Sequence, residues 1–115
     1  MFFIQACRGD DEDKGTPLQN DADGDTSLRH SLPNDADFLY AYSTAPGFVS
    51  WRSPTYGSWY VSKLCEVLHQ RAKDGMDLLS MLTVVNDKVS QAYTKQGFKQ
   101  CPAPVNMLRK QVVFL

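Results

Sequence analysis

Between Asp10 and Asp37 the sequence has no apolar periodicity that would mark a core-facing helix or strand. No other feature limits the fold as much. The stretch carries nine of the chain's thirteen acids, with only Lys14 and Arg29 as bases, and is broken by Gly15, Pro17, Gly24 and Pro33. Such a composition buries too little apolar surface to offset the entropy of ordering a backbone, so it reads as a long exposed linker. Twenty-eight structureless residues are unusual inside a compact domain. The stretch either joins two units or has a task of its own. The core must come from what flanks it, and 115 residues amount to one small domain or part of a larger one.

On the N-terminal side, Phe2–Ala6 is too short for a helix and rich in aromatics. It reads as a buried strand ending at Cys7. Open α/β sheets place their sites at the C-terminal ends of parallel strands.

On the other side, Phe38–Ser43 reads as a strand stopped by Pro46-Gly47, with a second extended segment at Phe48–Trp51. A helix is expected from about Trp59 to Lys73. Tyr60, Val61, Leu64, Cys65, Leu68 and Ala72 form its apolar stripe, with Arg71 and Lys73 in the last turn and Gly75 just beyond. Asp77 reads as the N-cap of a second helix, with Met76 and Met81 spaced as a hydrophobic staple. Leu78, Leu82, Val85, Val89 and Tyr93 mark its face, and Gly97 ends it. Val105–Leu115 reads as a final strand. Parallel strands need helical cover on both faces. Two helices do not provide it, so the expected fold is α/β with an incomplete sheet.

A net charge of −1 gives no reason to expect nucleic acid or a membrane as partner. From Phe38 onward nine bases outnumber four acids, so the acidity is local. Cys7, Cys65 and Cys101 are odd in number and far apart, with no Cys-x-x-Cys. Zinc, thioredoxin-like chemistry and a disulfide framework are poorly supported, and a reducing compartment is indicated. Met1–Ile4 lacks the basic start of a signal peptide and no apolar run reaches membrane-span length, so the chain reads as cytoplasmic. No cofactor and no metal are expected.

Gln5-Ala6-Cys7-Arg8-Gly9 has the form found around the nucleophile of caspases. Three further motifs resemble the same family. Ala36–Thr44 is similar to the start of a caspase small subunit. Gly47-Phe48-Val49-Ser50-Trp51-Arg52, with Gly57–Tyr60, is similar to its substrate-binding segment and first helix. Lys99–Pro102 with Leu108-Arg109-Lys110 is similar to its last loop and strand. The resemblance covers essentially the whole chain in order. It implies the C-terminal strand of a large subunit (1–9), an intersubunit linker (10–37) and a small subunit (38–115). Together these make about half of a three-layer α/β/α catalytic domain.

The activity implied is a cysteine endopeptidase of apoptosis that cuts after aspartate. Cys7 would be the nucleophile and its backbone N–H half of an oxyanion hole. Arg52 and Gln5 would hold the aspartate at P1, the residue before the scissile bond, in the S1 pocket. Ser50 would pair its backbone with the substrate strand. Trp51 would wall S2 and S4, and Trp59 would add to S4 or equally serve as a core aromatic. Val49 stands at the S2 wall where executioner caspases usually carry an aromatic, and Tyr93–Cys101 is a short connection where they carry a longer loop. Phe38–Pro46, by contrast, looks executioner-like.

Neither His30 nor His69 lies in a motif matching the family's His-Gly, which belongs about 50 residues before the cysteine. The expectation is that a large-subunit segment outside the chain supplies this base and that the chain alone is inactive. In the linker, Asp23 before Gly24 is the favoured cleavage site and Asp25 the second, ahead of Asp21 and Asp35. Further partners implied are protein substrates with P1 aspartate and a second large/small pair, forming a homodimer through the C-terminal strand. The alternative is a non-catalytic truncated caspase fragment acting as a dimerisation partner or regulator. An unrelated thiol or redox protein is a third reading.

Overall fold

The computed structural model describes residues 1–10 and 34–114. Most of the linker, the cleavage sites Asp21, Asp23 and Asp25, and His30 lie outside the described residues. Three strands form the main sheet: β1 (Phe2–Ile4), β2 (Leu39–Tyr42) and, last in the chain, β5 (Ala103–Asn106). Their order is β1-β2-β5, with β1 parallel and β5 antiparallel to the central β2. Two neighbouring parallel strands need a long crossover connection. The 28 residues from Asp10 to Asp37 account for most of the chain between β1 and β2. A small hairpin pairs β3 (Arg52–Ser53) with β4 (Gly57–Ser58), and the chain passes from it into α1 (Trp59–Arg71). A short 3-10 turn at Ala72–Asp74 ends at Gly75, and α2 (Leu78–Gln91) follows.

One face of β2 carries the core. Leu39 and Ala41 are buried against Tyr60, Leu64 and Val67 of α1, and against Leu78, Met81, Leu82, Val85 and Val89 of α2. The Tyr60 hydroxyl donates to the Ala41 carbonyl at 3.1 Å, and burial pushes its ionisation up to about 12, so it remains a neutral donor. Local signals set the helix starts. Ser58 caps α1 by accepting from Val61 N, and Asp77 caps α2 by accepting from Ser80 N. No described helix is long and apolar enough to cross a membrane.

The opposite face of the sheet is an aromatic ladder. Phe2 stacks on Tyr40 at 5.6 Å and Tyr40 on Tyr42 at 6.3 Å, with Phe38 alongside. Both helices therefore cover one face, and the described residues form two layers of the expected three.

Four expectations need correction. Phe2 and Phe3 are exposed rather than buried, because β1 has a strand neighbour on one edge only among the described residues. In α1 the buried stripe runs through Tyr60, Leu64 and Val67, leaving Val61 and Cys65 exposed. Tyr93 is exposed because the chain leaves the helix at Ala92, whose ψ is 153°. The final strand occupies Ala103–Asn106 instead of Val105–Leu115.

The reason for the last shift is a clamp at the edge of the sheet. Asp37, in the left-handed region at φ 66°, accepts from Arg109 N, Nε and Nη2, the last at 2.7 Å. Met107 still exchanges two main-chain hydrogen bonds with this segment, its N–H with Phe38 O and its carbonyl with Asp37 N–H, and the chain turns away beyond it. The Arg109 guanidinium holds the Asp37 carboxyl below its ordinary value of 3.8. A carboxyl lowered in the folded state stabilises at pH values above its unfolded value, and that contribution is lost as pH falls through the folded value. Asp37→Asn keeps a residue that tolerates positive φ. Its melting temperature should fall slightly below the parent's at pH 7, with the gap closing once the pH drops below 3.8. The gap should be small because both side chains are about half exposed.

Candidate active site

Cys7 lies just past the end of β1, where the chain runs along the turn that follows β2. Arg8 exchanges two main-chain hydrogen bonds with that turn: its N–H donates to Phe48 O, and Gly47 N–H donates to its carbonyl, both at 2.9 Å. Its guanidinium donates to Thr44 O at 3.3 Å and sits 3.6 Å over the Tyr42 ring, capping the aromatic ladder. At Gly9 the two backbones nearly touch, since a Cβ there would overlap Gly47 O. Gly9→Ala must push the turn away. The loss of stability should be about 1–3 kcal/mol, read by chemical denaturation of the chain in its folded assembly.

Two serines hold the residue before the cysteine. Ala6 N–H donates to Ser43 Oγ at 3.2 Å, while Ser43 and Ser50 Oγ lie 3.1 and 2.9 Å from Ala6 O. The two hydroxyls also lie within hydrogen-bond distance of each other. Two hydroxyl protons cannot serve all three contacts at once, so the pair forms a short relay onto Ala6 O. Ser50 also reaches the thiol, its N–H donating to Cys7 Sγ at 3.4 Å. Cys7 is exposed, and its own N–H has no acceptor among the described residues.

Trp51 is enclosed. Its ring stacks on Phe98 at 5.9 Å and tilts against Trp59 at 6.3 Å. Its N–H donates to Gln100 Oε1 at 2.7 Å, and its carbonyl accepts from Trp59 N. Arg52 opens β3 opposite Ser58. It is exposed and makes no salt bridge among the described residues. Val49 is half-buried beside Ser50. A cavity of about 400 Å³ opens next to Trp59, lined also by Ser53, Tyr56, Lys63, Lys88 and Val89. Lys88 and Lys63 both bind Glu66, which lowers its carboxyl below the ordinary value and joins α1 to α2.

The structure thus brings Cys7 into direct contact with Ser50, and the chain carries Val49, Trp51 and Arg52 along from there. Trp59 joins through Trp51. Gln5 is exposed two residues before Cys7 and makes no hydrogen bond to this segment. His69 is exposed in the last turn of α1 and has no hydrogen bond to Cys7. Sequence reasoning missed three residues that build the site: Ser43, Phe98 and Gln100. Phe98 had a signal, being an aromatic placed by a tight turn in which Gly97 N–H donates to Thr94 O and Thr94 N–H to Phe98 O.

A family model described as Caspase domain matches residues 1–113. The chain belongs to the caspase family. Among its caspase relatives, caspase-3 of Bos taurus is 43% identical over 121 residues, covering 99% of this chain and 43% of that protein. Caspase-7 of Gallus gallus is 40% identical over 126 residues, covering 99% of this chain and 40% of that protein. The crystal structure of caspase-1 from Spodoptera frugiperda superposes with a TM-score of 0.78 at 40% identity. It covers 98% of this chain and 44% of that one. The chain therefore spans about two-fifths of the length of these caspases, and its mixed α/β sheet corresponds to part of the caspase fold.

Proposed function

We propose that this chain supplies the nucleophile and part of the specificity pocket of a caspase that cuts proteins after aspartate in apoptosis. The observation that carries the reading is the 3.4 Å contact from Ser50 N–H to Cys7 Sγ. It sets the thiol beside a strand edge whose next arginine has no ionic partner among the described residues.

The strand edge suits a peptide. Trp51 O accepts from Trp59 N, so Arg52 faces Ser58 as a non-hydrogen-bonded pair. By antiparallel alternation, the N–H and C=O of Arg52 then point to the outer edge of β3, where an incoming chain can pair. A peptide lying there presents its P1 carboxylate to Arg52 and Gln5 and its scissile carbonyl to Cys7. The thiolate adds to that carbonyl carbon, and Cys7 N–H donates to the oxygen that gains charge. Upstream side chains meet Val49 and Trp51, then Trp59 and the cavity beside it. In this reading a histidine outside these 115 residues takes the thiol proton and returns it to the leaving amine. Activation proceeds by cleavage after Asp23, with Asp25 second. The outer edge of β5, where Val105 is exposed, pairs with a second copy.

The second reading, a regulator that joins caspase subunits without catalysis, is favoured by one observation: no histidine approaches Cys7 among the described residues. A fluorogenic peptide with P1 aspartate separates the two. The chain alone should give no turnover, and the chain co-refolded with the large subunit of a caspase relative should hydrolyse the peptide. An assembled pair that stays inert although Cys7 is fully alkylated by iodoacetamide supports the regulator.

A further inference from the structure

Gln100 is almost wholly buried, at 2% exposure, yet both ends of its amide are used. Nε2 donates to Ser43 O at 2.6 Å, and Oε1 accepts from Trp51 N–H at 2.7 Å. Partners of opposite kind leave only one orientation for the amide. Ser43 directly follows β2, so its carbonyl is fixed to the sheet. Trp51 lies between Ser50, which touches the thiol, and Arg52. Residues 49–51 belong to no strand, and no main-chain ladder sets their height relative to the sheet. The Gln100 side chain does so at Trp51, beside the bonds of Ser50 Oγ to Ala6 O and Ser43 Oγ.

The consequence concerns alternation. With Trp51 N–H committed to Gln100 and Trp51 O to Trp59 N, both main-chain groups of Trp51 point inward. Those of Arg52 are then left for an incoming peptide, while the N–H of Ser50 stays on Cys7 Sγ. Without the amide, a part-buried Trp51 N–H loses its acceptor and the segment relaxes to satisfy it. Ser50 and Arg52 would rotate or shift with it.

We propose that Gln100 is a positioning residue for P1 aspartate recognition, acting through Trp51 on the register of Ser50 and Arg52. This rests on the protease reading above. It does not touch the peptide itself and takes no part in bond making.

The test uses the chain assembled with a caspase large subunit, with rates expressed per titrated active site. Gln100→Met keeps a similar volume and removes both hydrogen bonds. KM for a P1-aspartate peptide should rise about tenfold, with kcat within about twofold, and preference for aspartate over glutamate at P1 should fall about tenfold. Alkylation of Cys7 by iodoacetamide, which needs no P1 pocket, should keep its rate. Gln100→Glu guards against misfolding of the first variant. When protonated, its carboxyl donates to Ser43 O and accepts from Trp51 N–H as the amide does, and when ionised it cannot donate. Its KM should therefore return towards the parent's as pH is lowered, relative to the parent measured at the same pH.

A Met variant with lower melting temperature but unchanged KM and P1 preference per active site overturns the inference. So does a Glu variant whose KM tracks the parent at every pH. A parent assembly inert towards aspartyl peptides overturns the protease reading and this inference together. An active parent with indifferent Gln100 variants overturns this inference alone.

Discussion

Cys7→Ala in the assembled enzyme is expected to lower kcat/KM for an aspartyl peptide by at least about 10³-fold, with binding of the uncleaved peptide nearly unchanged. The split follows from what holds the site. The bonds that place this segment run through the main chain of Ala6 and Arg8, and alanine at position 7 leaves them all in place. The contacts removed are the two between Sγ and Ser50, its N–H and its carbonyl, so the segment proposed to receive the peptide should keep its shape. What disappears is the sulfur proposed to attack. Fluorescence anisotropy with a labelled aspartyl peptide reads binding, and product release reads turnover. Residual hydrolysis near the parent level would remove Cys7 from the mechanism. Lost binding together with lost turnover would make it structural.

Arg52→Lys should cost on the order of 10²-fold to 10³-fold in kcat/KM for P1-aspartate peptides, mostly through KM. Lysine keeps the charge, so the loss isolates geometry. A guanidinium meets a carboxylate with two parallel N–H donors, and an ammonium meets it as a point charge. Arg52 suits this task because no described carboxylate competes for it. Its position is set by β3 pairing with β4 and by the Trp51 anchor one residue earlier. Measuring kcat and KM for P1 aspartate and P1 asparagine side by side checks the prediction, since Lys should erode the preference for the charged residue. Iodoacetamide should alkylate Cys7 as fast as in the parent. An unchanged KM would place the aspartate pocket elsewhere.

What could be read from the chain differed with the distance over which each feature is decided. The caps at Ser58 and Asp77 act across three residues, and the helices begin where those residues place them. The α1 stripe that spacing predicts holds at Tyr60 and Leu64 and fails at Val61 and Cys65, while Val67 joins it. Spacing fixes the width of an apolar stripe, but the contact with α2 and β2 fixes its rotation. Tyr93 was assigned to a helical face that had already ended. Val105–Leu115 has the composition of a strand, yet a strand lasts only as long as its partner. The strand register ends where Leu39 meets Asn106, Met107 bonds the main chain of Asp37 and Phe38 one residue on, and the Asp37–Arg109 clamp lies where the chain turns away.

The site divides in the same way. Residues 5–9 point to a candidate nucleophile because the caspase-like signature is contiguous, and at Gly9 the backbone of Gly47 comes so close that only glycine fits. Gln100 carries no such mark. It lies in the Lys99–Pro102 motif, but it bonds residues 57 and 49 positions away, and nothing local marks it as buried. By itself the sequence determined the family and the helix starts and singled out Cys7 as the candidate nucleophile, since each depends on residues adjacent in the chain. Only the tertiary structure decided how Ser50 is held beside Cys7 and how Arg52 is set on β3. That depends on hydrogen bonds between main chain and buried side chains from segments that meet only once the sheet and helices have packed.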